Sequence, residues 1–214
     1  MAEEVNWDEE IIYPRLTHYL IEQGGWKEEK TLFSDLIAGN WYFYAQGYKR
    51  AADILVDTTH GEPWDDSLIL PIVFLYRHFV ELKLKDIILA LDHLGGTTME
   101  KLGTHDLIPL WNYLKDHLNC IRHEIVDKEI IPALDKLIAE LSNLDPDSFH
   151  FRYAHDKKFL NAMPLPRSLN MKHFQGTMKI IDNGLRYLEA GIEMETESRI
   201  QDAQSAADNY TPPY

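Results

Sequence analysis

The segment Phe74 to Lys85, Phe-Leu-Tyr-Arg-His-Phe-Val-Glu-Leu-Lys-Leu-Lys, sets Arg77, His78, Glu81 and Lys85 into the most apolar helical stretch of the chain. At about 100° per residue these side chains fall within an arc of about 100° on one side of a helix. Val73, Tyr76, Val80, Leu84, Ile87 and Leu91 form one apolar stripe, and Ile72, Leu75, Phe79 and Leu82 form another on a different side. A helix apolar on two sides belongs in the middle of a bundle. Its polar strip is then confined to a groove between packed neighbours, where an unpaired charge is expensive and a paired one is available for chemistry.

The rest of the chain supplies helices to surround it. Trp41, Tyr44, Ala45, Tyr48, Ala52 and Leu55 follow helical spacing and predict a helix from about Asp35 to Val56. Thr58 to Asp66, with Gly61 and Pro63, reads as a loop, and the central helix runs from about Ser67 to His93, ended by Gly95 and Gly96. Pro71 falls near its first turns, where a missing backbone donor costs least. Two further helices are expected from about His105 to Asn119, capped by Thr104, and from about Ile125 to Leu141. A last one, from about Ser168 to Glu193, buries Phe174, Met178, Ile181, Leu185 and Leu188.

No stretch alternates with a period of two, so the expected fold is all-α, an up-and-down helical bundle. The expected organisation is an N-terminal extension over residues 1–34, the bundle over 35–194 and a mobile polar tail over 195–214. The net charge of -14 opposes non-specific binding to DNA or to an anionic membrane. The start, Met-Ala-Glu-Glu, lacks the basic and apolar regions of a secretory signal, and the apolar run Leu68 to Tyr76 is far shorter than a bilayer span. With a single cysteine, Cys120, these features lead us to expect a cytoplasmic protein.

Three clusters carry chemistry. Arg77, His78, Glu81 and Lys85 place a fixed cation, an imidazole and a carboxylate within reach of one small ligand. The same spacing also suits a salt ladder, with Arg77 to Glu81 and Glu81 to Lys85 each one turn apart. Thr104-His105-Asp106-Leu107 opens a helix and reads either as an anion site or as plain capping. Phe151-Arg152-Tyr153-Ala154-His155-Asp156-Lys157 mixes aromatics with both charge signs, either for binding or to pin a loop to the bundle. There is no His-Glu-x-x-His or Glu-x-x-His, no Walker or dinucleotide glycine loop and no serine in a nucleophile elbow. No metal and no cofactor are therefore expected.

Taken in order, Gly47-Tyr-Lys-Arg-Ala-Ala52, the Phe74 to Lys85 segment, His105-Asp-Leu-Ile-Pro-Leu-Trp111 and Phe151-Arg-Tyr153 resemble the HEPN superfamily, the higher eukaryotes and prokaryotes nucleotide-binding helical domains. The resemblance spans roughly Asp35 to Glu193. It implies a helical bundle, frequently dimeric, and for many members metal-independent endoribonuclease activity in toxin–antitoxin or phage-defence systems. Other members are non-catalytic partners or nucleotide-binding modules. Active members carry an arginine followed after four to six residues by a histidine near the start of a late helix, and here Arg167 and His173 have that spacing. Ser168 stands where a polar amide commonly follows the arginine, a departure from the pattern.

Arg152 and His155, too close in sequence to fit that pattern, are a second candidate catalytic pair, and the resemblance implies that their segment shares one groove with Arg77, His78 and His105. Tyr153, Lys157 and Asp106 join Arg77, His78, Glu81, Lys85 and His105 as candidate binding residues. The expected functions are an endoribonuclease acting on RNA, a non-catalytic adaptor or dimerising subunit bound to a second copy or another protein, or a nucleotide or small-anion module.

Overall fold

Pro71, Pro109 and Pro132 each stand third in a helix, Ile69–Gly95, Leu107–His117 and Ile130–Leu144, in the first turn. A proline is tolerated there because the backbone N–H at that position has no acceptor within the helix. In the computed structural model these are α2, α3 and α4; α1 is Trp41–Thr58 and α5 is Met171–Asp208. The structure describes residues 40–62, 65–95, 102–118, 121, 129–145, 151–153 and 168–208. All belong to one compact unit beginning at Asp35. Among them the regular structure is helical throughout, with a 3-10 turn at Asp65–Leu68 leading into α2.

Both apolar sides of α2 are used. Val73, Tyr76, Val80, Leu84, Ile87 and Leu91 are buried, and so are Ile72, Phe79 and Leu82. α1 packs antiparallel to it: Trp41 and Tyr42 lie over Lys85 and Lys83, Tyr48 over His78, and Asp53 accepts from the Tyr76 hydroxyl at 2.6 Å. α5 runs parallel to α2, with Phe174 edge-on to Tyr76, Glu189 on Lys83 and Arg199 donating to the Leu94 carbonyl. α3 lies on another side of α2, and α4 bridges α3 to α5. α2 is therefore the axis of the bundle, as its two stripes require.

The termini of the helices are set by local polar groups. Asn40 accepts from the Tyr42 N–H to start α1, and Asn170 accepts from the His173 N–H to start α5. In the loop after α1, Gly61 takes φ of 84°, and the Asp65 carboxylate gathers the N–H groups of His60, Gly61 and Glu62. Thr104 does not occupy the expected cap: the N-cap of α3 is Asp106, and Thr104 accepts the Asp106 N–H one step outside the helix. α5 also departs from expectation, because the helix continues to Asp208 across most of the stretch read as a mobile tail. Arg199, bonded to Glu195 and to the Leu94 carbonyl, ties its extension to the end of α2.

Where α4 crosses α5, Gly184 makes the approach possible. A Cβ at Gly184 would lie 2.9 Å from Leu134 Cδ2, and Leu134 is itself in the core. Gly184→Val should cost about 2 kcal/mol through overpacking. Gly47→Ala, where a Cβ meets nothing within 4 Å, should instead stabilise α1 by up to about 1 kcal/mol. Urea melts of the two variants would show the opposite shifts. Among the described residues no helix is long and apolar enough to cross a membrane.

Candidate functional site

Spacing of four residues along α2 puts Arg77 one turn below Glu81 and Lys85 one turn above it. Lys85 Nζ donates to Glu81 Oε1 at 2.9 Å, and Arg77 Nη1 stands 3.5 Å from Oε2. The segment ahead of α3 adds His105, whose Nδ1 lies 2.9 Å from Glu81 Oε1. An ionised carboxylate only accepts, so Nδ1 carries the proton and Nε2 is left on the far side of the ring. His78 brings a second imidazole, with Nδ1 3.7 Å from Oε2. Glu81 is 1% exposed, whereas the side chain of His105 is 64% exposed. A buried carboxylate thus holds one imidazole, His105, and stands close to a second, His78, at the edge of the bundle.

The electrostatics follow from these neighbours. Burial pushes the Glu81 carboxyl up, but contacts from His78, Lys85 and His105 outweigh it and hold it at about 2. Arg77, fully buried, is displaced downward: burial lowers it, the carboxylates of Asp145, Glu81 and Asp106 oppose that, and the charge of Arg152 adds to it. Arg77 Nε donates to the Asp145 carbonyl at 2.8 Å and Nη2 to the His105 carbonyl at 2.9 Å. Those carbonyls lie at the end of α4 and just before α3. One guanidinium therefore ties three parts of the bundle together while flanking Glu81.

Aromatic side chains flank His78. Phe74 stacks on His78 with centroids 5.7 Å apart and planes 8° from parallel, and Tyr48 meets His78 edge-on at 4.4 Å. The Arg152 guanidinium lies 5.7 Å from the Phe74 centroid and 5.8 Å from that of Tyr153, both within cation–π range. Arg152 and Tyr153 are exposed. Tyr48 also borders a shallow groove of about 310 Å³ on α1, lined with Phe43, Tyr44, Gly47, Ala51 and Leu75.

Contacts thus join Arg77, His78, Lys85 and His105 around Glu81, and Phe74 links His78 to Arg152 and Tyr153. Along α2 the strip forms the ladder that its spacing suits, Arg77 and Lys85 each one turn from Glu81. Asp106 contributes its charge beside Arg77 and its backbone to the start of α3. His173 lies elsewhere, at the rim of a cavity of about 370 Å³ between α4 and α5 with Leu141, Phe174 and Met178. Arg167, His155 and Lys157 lie outside the described residues. Among the described residues no group of three or more His, Cys, Asp and Glu side chains is arranged to hold a metal ion.

Two polar clusters escaped the sequence reading. Lys83 is fully buried and bonded to both Glu189 oxygens at 2.6 Å. Its position between Leu82 and Leu84, on a helix apolar on two sides, was the available signal. Asp53 joins Lys49, Tyr76 and Gln175 across α1, α2 and α5. Burial raises its carboxyl, but the bonds from Tyr76 and Lys49 bring it below the ordinary range. Comparisons of the chain with family models, with curated proteins and with solved structures give no match.

Proposed function

We propose that this chain is a HEPN-like module that acts on RNA, and that its site is the groove above Glu81 rather than the rim of the α4–α5 cavity. The observation that carries the reading is the placement of two imidazoles beside one buried carboxylate, His105 Nδ1 at 2.9 Å from Glu81 Oε1 and His78 Nδ1 at 3.7 Å from Oε2. Two oriented imidazoles suit cleavage of a ribonucleotide phosphodiester. A neutral His105 takes the proton of the ribose 2′-hydroxyl as that oxygen bonds to phosphorus. A protonated His78 gives a proton to the 5′-oxygen as its bond to phosphorus breaks, leaving a 2′,3′-cyclic phosphate and a 5′-hydroxyl.

Arg152, exposed beside Phe74, supplies a guanidinium for the charge on the pentacoordinate phosphorus. Tyr153 and the α1 groove beside Tyr48 offer faces on which unpaired bases can stack. The net charge of -14 makes binding depend on these local groups and not on a general basic surface.

The test is cleavage of a labelled single-stranded RNA panel by purified protein, with the 2′-deoxy strand as control. His105→Ala and Arg152→Ala should each lower the rate by a factor of about 100 or more, with melting temperatures close to the parent. His173→Ala and Arg167→Ala should leave it within a few-fold. Loss of activity in the latter pair alone would move the site to the start of α5, where the family spacing places it. Absence of cleavage, with oligonucleotide binding still sensitive to Arg152, would leave a nucleotide-binding module. Absence of both would favour an adaptor.

A further inference from the structure

The exposed side of α1 leaves a notch among aromatic rings. Phe43, Gly47 and Ala51 follow one another at steps of four residues and so lie in one row along the helix, with Tyr44 and Tyr48 in the row beside it. Together with Leu75 of α2 they line the groove of about 310 Å³. Gly47 stands in the middle of its row, and a Cβ there would meet nothing within 4 Å. A helix interior favours alanine over glycine, so the residue that opens the notch also weakens the helix around it. Phe43 and Tyr44 are 44% and 48% exposed, rings that the core does not use.

Tyr48 connects the notch to the reacting groups. It lines the groove and also meets His78 edge-on, with ring centroids 4.4 Å apart. In the cleavage proposed above, His78 serves the leaving 5′-oxygen and His105 the 2′-hydroxyl, so Tyr48 stands beside the nucleotide on the 3′ side of the cut bond. The lining decides what can be recognised there. The polar side-chain atoms of these six residues are the hydroxyls of Tyr44 and Tyr48 alone, and the helical backbone at Gly47 is engaged in its own hydrogen bonds. A base in the notch is therefore held by its face and not read at its edge, and the area of the ring system decides how well it is held. We propose that the α1 notch is the subsite for the base immediately 3′ of the cut bond, that it prefers a purine, and that Gly47 sets this preference. The inference rests on the ribonuclease reading of the groove over Glu81.

The test uses pyrimidine RNA strands that carry one purine, moved stepwise along the strand, with cut sites mapped for the full chain and for its Gly47→Leu and Tyr44→Ala variants. Both positions are exposed, so the variants should melt near the parent. The parent should cut about fivefold or more faster at the bond 5′ to a purine than at the bond 5′ to a pyrimidine, and in each variant that ratio should fall to about one. A parent that cuts RNA with no preference on the 3′ side, or with one that survives in folded Gly47→Leu, overturns the proposal and leaves the ribonuclease reading standing. If no RNA is cut, that reading fails by itself, and the notch is judged by fluorescence anisotropy on the same strands. Tighter binding of the purine strands, lost in Gly47→Leu, then upholds a base site, and equal affinities overturn it. A change of sedimenting mass in Gly47→Leu with the purine ratio intact marks the notch as a contact between proteins and also overturns the proposal.

Discussion

Glu81→Gln is expected to lower the unfolding free energy at neutral pH by about 4 kcal/mol, as loss of one partner from a buried ion cluster does. Glu81 is 1% exposed, and its neighbours Arg77 and Lys85 are 0% and 4% exposed. A neutral amide keeps the shape but leaves both cations in the interior without the carboxylate that offsets their desolvation. Arg77 cannot relieve this by losing its proton, because guanidinium stays charged at any ordinary pH. It also cannot swing to water without releasing the carbonyls of Asp145 and His105.

The same substitution changes the response to acid. The folded Glu81 carboxyl sits at about 2, below its ordinary 4.5. On acidification the unfolded chain therefore takes up this proton first. The contribution of Glu81 is complete above about pH 4.5, declines as pH falls, and is gone once the folded group protonates near pH 2. A displacement of that size corresponds to roughly 3 kcal/mol. Denaturant midpoints measured from pH 7 to pH 2 should thus fall less steeply for Glu81→Gln than for the parent chain. Parallel profiles would mean that the carboxylate is not the electrostatic centre of the groove.

A second large effect concerns Lys83, and it is asymmetric. Glu189→Ala should cost about 3 kcal/mol, whereas Lys83→Met should change stability by less than about 1 kcal/mol. Lys83 is fully buried, with Nζ on both Glu189 oxygens and 5.4 Å from the Tyr42 ring centroid. Without Glu189 the ammonium is left in the interior with the Tyr42 ring and the half-buried Asp86, whose own carboxyl burial pushes upward. Without Lys83, by contrast, the 24% exposed Glu189 turns to solvent, and methionine fills the space along the helix. Equal losses in urea melts of the two variants would show that packing, not charge, dominates at this position.

Helix periods could be read from the chain because burial of a stripe dictates residue spacing locally. The axis of the bundle was legible in Phe74 to Lys85 for that reason, and so was the one-turn ladder through Arg77, Glu81 and Lys85. The extent of α5 was not. Residues 195–208 are polar by composition, but the continuous backbone of a long helix and the bond from Arg199 to the Leu94 carbonyl extend it. The start of α3 moved from Thr104 to Asp106 because the preceding backbone is held by Arg77, a contact 28 residues away in sequence.

The site divides along the same line. The sequence by itself determined an all-helical chain with a central, doubly apolar helix and a carboxylate set one turn from each of two cations, since periodicity along one helix fixes which side chains share a face. Only the tertiary structure decided that His105 completes the shell of Glu81, that Arg152 stands over Phe74, that Lys83 meets Glu189 and that His173 faces a different cavity. Those pairings join residues 24 to 106 positions apart or depend on which helices are neighbours. Local spacing carries no information about them, because they arise from the way separate apolar stripes close against α2.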